Sequence, residues 1–184
     1  MTQKRSRHID LFKMRKGFML KPLAVGIAGI MSSGCADDRQ DAQIYTSVDD
    51  CKRDYPDAVE KCEAAYQTAL DEAARTSPRF STESDCEYEF GANQCREMNS
   101  GSGSFFMPFM AGYMVSQLLS PRPYYSQPIY TSYSPYSPFR SRWITADGYV
   151  FDGDIRKRNY KVSPSVYKPK PTVTRTVNRG GFGS

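Results

Sequence analysis

The sequence predicts a mainly α protein: a small disulfide-bonded helical module, then a large disordered C-terminal part with one candidate short β-hairpin. Three observations carry that expectation. Apolar residues Val59, Cys62, Tyr66, Ala69, Leu70 and Ala73 recur at spacings of three and four, the period of an amphipathic helix. Four cysteines, Cys51, Cys62, Cys86 and Cys95, cluster around that helix. Beyond residue 98 the chain turns to Gly, Ser, Pro and Tyr, a composition expected to bury little core.

The first 34 residues hold seven Lys or Arg and one Asp. Leu23 to Met31 is an apolar run interrupted only by Gly26 and Gly29. It falls well short of the roughly 20 residues that a membrane-spanning helix needs, but it suits the apolar core of an export signal. Ser32, Ser33, Gly34 and Cys35 follow. The stretch resembles a bacterial lipoprotein signal, although Ser32 stands where Leu is usual. On that likeness residues 1–34 are a signal peptide, Cys35 is the lipidation site, and several acyl chains hold the protein stably on a membrane. Ala36, rather than Asp, follows Cys35. The expected address is therefore the periplasmic face of the envelope, with the outer membrane favoured over the inner, and residues 35–43 are a tether.

Residues 44–97 form the expected helical module, a two-copy repeat. Tyr45-Thr46-Ser47-Val48-Asp49-Asp50-Cys51 matches Phe80-Ser81-Thr82-Glu83-Ser84-Asp85-Cys86, and Tyr55 matches Phe90. Ser47 with Asp50, and Thr82 with Asp85, have the spacing of a helix N-cap and an acidic third position. Pro56 suits the first turn of the intervening helix, Thr76-Ser77-Pro78 stops it, and Gly91 is placed to end the second copy's helix. An even number of cysteines in an exported chain reads as disulfides. The repeat points to Cys51–Cys62 and Cys86–Cys95, with two other connectivities open. The spacing contains no CxxC, which argues against a zinc ribbon or a redox motif.

Residues 98–104 read as a Gly/Ser linker. Phe105 to Leu119 carries no charge and is the most hydrophobic piece beyond the signal. Three placements are open for it: a helix packed on the cysteine module, a segment in a bilayer interface, or a docking helix for an envelope protein partner or another copy of the chain. Residues 120–140 read as a Pro/Tyr/Ser-rich linker. In 141–184, Asp147-Gly148 marks the turn of the hairpin, with Trp143 and Phe151 facing one another across it. The remainder is a basic tail in which Thr172 to Val177 has strand-like alternation. Arg179-Gly180-Gly181-Phe182-Gly183 is like one RGG unit of an RNA binder, but a single unit in an exported chain argues for no nucleic-acid partner.

Charge divides the chain. Residues 36–97 carry 16 acidic and 7 basic side chains, whereas residues 98–184 carry 3 acidic and 11 basic. The two parts are suited to attract one another, or the tail to meet an acidic envelope polymer. The one histidine is His8. The chain beyond the signal therefore has no imidazole, which excludes catalysis through a histidine base and any His-containing metal site. No cofactor or metal is expected. Carboxylates such as Glu60, Glu63, Glu87 and Glu89 are the only candidates for acid–base chemistry.

Several stretches together resemble one family: RSRHI, MRKGF, YTSVDDC, AAYQTAL, FSTESDC, EFGANQC, SGSFFMPFMAGYM and TVTRTVNRGGFG. They are similar to the YgiB/YjfM group of enterobacterial proteins, the YjfM branch more so. That group has no known function and its members are regarded as lipoproteins. The resemblance implies that Cys35 is the lipidation cysteine and supplies no active site. It also implies a functional link to ATP-grasp amide ligases. The sequence therefore favours a non-enzymatic envelope lipoprotein with a structural or protein-interaction role. The alternatives are a carboxylate enzyme or pathway accessory and a membrane-surface binder.

Overall fold

Two antiparallel-rich sheets, not helices, organise the chain. The computed structural model describes residues 38–101, 103–119, 125–179 and 182; the expected signal peptide and the expected lipidation site Cys35 lie outside these. Nine strands and three α-helices follow one another: β1 (Gln40–Tyr45), α1 (Val48–Asp54), α2 (Val59–Thr76), β2 (Arg79–Phe80), α3 (Glu83–Phe90), β3 (Cys95–Ser100), β4 (Gly103–Pro108), β5 (Gly112–Ser116), β6 (Tyr125–Tyr130), β7 (Ile144–Thr145), β8 (Asn159–Val162) and β9 (Thr176–Val177). One sheet has the order β7-β6-β5-β1-β8, the other β3-β4-β2-β9. The expected mainly α class with a disordered C-terminal part is thus incorrect.

Residues 44–97 are not a separate helical module, because β1, β2 and β3 of this span join the two sheets, but its three helices carry the caps read from the sequence. The Ser47 side chain accepts the Asp50 amide at 3.1 Å, and Thr82 accepts that of Asp85 at 3.1 Å. A 3₁₀ turn at Pro56–Ala58 leads into α2, Ser77 closes that helix, and Gly91 closes α3. Cys51 is joined to Cys62 with 5.8 Å between Cα atoms, and Cys86 to Cys95 with 6.2 Å.

The corrections concern what surrounds the helices. Phe105–Leu119 is not one helix. It supplies most of β4, a bend, all of β5 and the turn after it. All five β5 residues are buried. A strand covered on both faces has no polar alternation to announce it. Asn99-Ser100-Gly101 belongs to a hairpin in which Ser100 pairs with Gly103. In the Pro/Tyr/Ser stretch, β6 pairs with β5 even though it contains Pro128. The Ile129 carbonyl accepts the Ala111 amide at 2.9 Å, so Ile129 turns its polar groups toward β5 and Pro128 turns away. The pairing with β7 begins only at Ile129, so the missing N–H of Pro128 costs no ladder bond there.

Register divides the core. Ala42, Ile44, Met114, Ile129, Tyr160 and Val162 share one face of the five-stranded sheet, covered by Trp143, Phe151, Val166 and Tyr167. Tyr45, Tyr113 and Val115 share the other, covered by Cys51, Cys62, Ala65 and Ala69 of the helices. Small residues on α2 let it approach closely, and the Ser126 hydroxyl reaches the Ala65 carbonyl at 2.6 Å. Burial pushes the phenols of Tyr113 and Tyr160 up to about 12, aided by neighbouring Tyr66 and by Asp154 and Asp152 respectively. A third cluster joins Phe80, Phe90, Tyr130, Phe139, Ile144 and Phe182 around the Cys86–Cys95 bridge.

The candidate hairpin is real but very short. Ile144 bridges Val150, and the Phe151 amide donates to the Trp143 carbonyl at 2.9 Å. The tail is also built in: β8 pairs with β1, and β9 pairs in parallel with β2.

Candidate functional site

The last turn of α3 ends with three carbonyls that the helix cannot satisfy itself. The segment after β6 supplies their donors. The Ser132 hydroxyl donates to Glu89 O at 2.6 Å, Ser134 to Tyr88 O at 2.6 Å, and the Tyr133 amide to Phe90 O at 2.9 Å. Each serine also accepts an amide two residues on, Ser132 from Ser134 and Ser134 from Tyr136. These are serine turns of the kind that compete with regular structure. Gly91 makes the junction possible. Its φ is +110°, and a Cβ there would lie 3.2 Å from both Ser134 N and Tyr133 Cβ.

The turns raise tyrosine rings beside α3 and form a cleft of about 620 Å³, lined by Glu83, Glu87, Tyr88, Tyr133, Tyr136 and Arg179 among others. Tyr88 and Tyr136 stack with ring centroids 5.1 Å apart and planes 3° from parallel. Tyr133 is 51% exposed and Tyr136 68%, the two most exposed aromatic side chains among the described residues, so aromatic surface meets solvent beside α3. Two carboxylates line the cleft with the rings: Glu83 stands in the first turn of α3, and Glu87 accepts the Asn93 amide at 2.5 Å.

A cation already occupies part of the cleft. The Arg179 guanidinium lies 4.3 Å from the Tyr88 ring centroid, its Nε 3.6 Å from Asp85 Oδ1, and its Nη2 donates to Ser84 Oγ at 3.4 Å. Phe182 packs into the third cluster, with its ring 5.3 Å from Phe90 and 5.6 Å from Phe139. Arg179 and Phe182 of the RGG-like stretch therefore contact α3 in the protein's own acidic half. Charge division in the sequence was the signal for this contact; the tyrosines gave none, because their stretch reads as a linker.

The four candidate catalytic carboxylates are differently placed. Glu60 and Glu63 are exposed on α2, with Glu63 paired to Lys52 at 2.7 Å, while Glu87 borders the cleft and Glu89 is buried. Among the described residues no group of three or more His, Cys, Asp or Glu is arranged to hold a metal. Of the expected docking segment, only Phe109 and Leu119 are large exposed apolar side chains. No helix among the described residues is long and apolar enough to cross a membrane.

A family model described as "Protein of unknown function (DUF1190)" matches residues 39–184. A UPF0441 protein of Yersinia pestis bv. Antiqua is 34% identical over 202 residues, covering 98% of this chain and 88% of the relative. One from Serratia proteamaculans is 34% identical over 196 residues, covering 98% and 89%, and one from Sodalis glossinidius 32% identical over 190 residues, covering 98% and 88%. No solved structure matches.

Proposed function

Since the chain belongs to the DUF1190 family of proteins of unknown function, we propose that it is an exported, lipid-anchored envelope protein that works by binding rather than by catalysis. It is then a lipoprotein of the YgiB/YjfM kind. The observation that carries this reading is the division of the cysteines. Four are paired within the folded unit, and the fifth, Cys35, follows the basic leader and apolar run after Ser32, Ser33 and Gly34. Disulfides of this kind belong to oxidising compartments. Only four residues separate Cys35 from β1, so a lipid at Cys35 would hold the folded unit near the membrane surface.

The tyrosine-lined cleft on α3 is the recognition surface in this reading. Exposed aromatic faces flanked by charge are typical of sites that bind. Arg156, Lys161, Lys168 and Arg175 are exposed and support a second contact, with an acidic envelope polymer. The outer membrane is the proposed address. Mass spectrometry of the N-terminus from cell envelopes tests the anchor. An acylated Cys35 is the expected result, lost in Cys35→Ala. An unmodified N-terminus upstream of residue 35 overturns it.

A further inference from the structure

We infer that the α3 cleft is a binding site for the guanidinium side chain of an arginine-bearing peptide segment, and that Arg179 is its tethered resident occupant. The inference deepens the reading of the cleft as a recognition surface and rests on it. Three features carry it. The lining pairs ring faces with carboxylates, the two groups that attract a weakly hydrated planar cation. The structure shows such a cation in place, over Tyr88 and beside Asp85. That cation is held loosely: its side chain is 52% exposed and its nearest carboxylate oxygen is 3.6 Å away.

The attachment of the tail suits release. β9 contributes two residues, paired in parallel to β2, and Thr176 meets Ser81 through hydroxyls at 3.0 Å. The cleft keeps about 620 Å³ with Arg179 present, so Tyr133 and Tyr136 retain open faces for residues flanking an incoming arginine. A tethered occupant competes at an effective concentration in the millimolar range. The intact chain should therefore bind a free arginine side chain weakly, and removal of Arg179 should unmask the site.

The test titrates N-acetyl-arginine amide into the full-length chain, wild type and Arg179→Ala, by NMR chemical shift or calorimetry. Saturable binding at least tenfold tighter in Arg179→Ala is expected. Adding Asp85→Asn or Tyr136→Ala should weaken it about tenfold, and the neutral isostere N-acetyl-citrulline amide should not bind. Equal affinity in wild type and Arg179→Ala, no saturable binding to the folded variant, or equal binding of the citrulline probe would each overturn the inference. None of these outcomes depends on the lipid at Cys35, so failure here leaves the envelope assignment to its own test.

Discussion

The Ser134 hydroxyl donates to the Tyr88 carbonyl at 2.6 Å while accepting the Tyr136 amide at 3.2 Å. One side chain thus closes a turn in a proline-rich segment and caps a helix. Ser132 does the same for Glu89 and the Ser134 amide. Ser134→Ala leaves the Tyr88 carbonyl without this donor, at a cost of about 1–3 kcal/mol. The double variant with Ser132→Ala should cost more than either single change. Urea unfolding measures this, and no loss in the double variant would reject the capping role.

Gly112 is a close-approach glycine. A Cβ built there would stand 2.6 Å from the Tyr45 carbonyl oxygen, just past the last pair of the β1–β5 ladder. Backbone cannot yield there as a side chain would, so Gly112→Ala should destabilise by about 2 kcal/mol or more, in line with overpacked cores. Gly101 has nothing within 4 Å of its Cβ position. Gly101→Ala should change stability by less than about 0.5 kcal/mol. Thermal unfolding of the two variants side by side checks the contrast.

The two disulfides close short loops, with sequence separations of 11 and 9. Each should stabilise by about 3 kcal/mol in the chain-entropy model. Cys51→Ala with Cys62→Ala, or Cys86→Ala with Cys95→Ala, should lower the urea midpoint accordingly. The second pair should also loosen the cleft, because Cys86 lies on α3. Peptide mapping without reduction that joined Cys51 to Cys86 or Cys95 would contradict this arrangement.

Asp147 links stability to pH. Its partial burial favours the neutral acid, but hydrogen bonds from Lys170 at 2.6 Å and Thr145 at 2.5 Å outweigh that and hold the carboxyl below its ordinary value. A depressed folded value means the contribution is present above the unfolded carboxylate value, roughly 4, and is lost as pH falls through the folded one. The pair is partly open to water, so its worth is below about 1 kcal/mol. Asp147→Asn should lower stability at pH 7 and flatten the acid limb of the stability–pH curve. Identical curves would rule the linkage out.

Helix caps were legible in the sequence because Ser47, Thr82 and Gly91 act locally: each needs only its neighbours within one turn. The hairpin at Asp147-Gly148 was legible for the same reason. The sheets were not. β1, with sequence QDAQIY, has no strand-like composition and is fixed by β5 and β8, which lie far along the chain. β5 is apolar throughout because both its faces are covered, which erases the period of two. The Pro/Tyr/Ser composition of 120–140 points to an extended linker, but Ser132 and Ser134 donate hydrogen bonds to a distant helix end and Phe139 is core. The cleft inherited that invisibility. Tyr133 and Tyr136 become neighbours of Tyr88 only through those serine contacts.

β1 enters the fold at residue 40 and is hydrogen-bonded on both sides, four residue pairs to β5 and four to β8. It is an interior strand, not an edge. In the anchored arrangement proposed above, tension on the tether would reach the fold first at this strand. Pulling it out means shearing two ladders together instead of peeling one pair at a time. The chain is thus reinforced mechanically where its tether would attach.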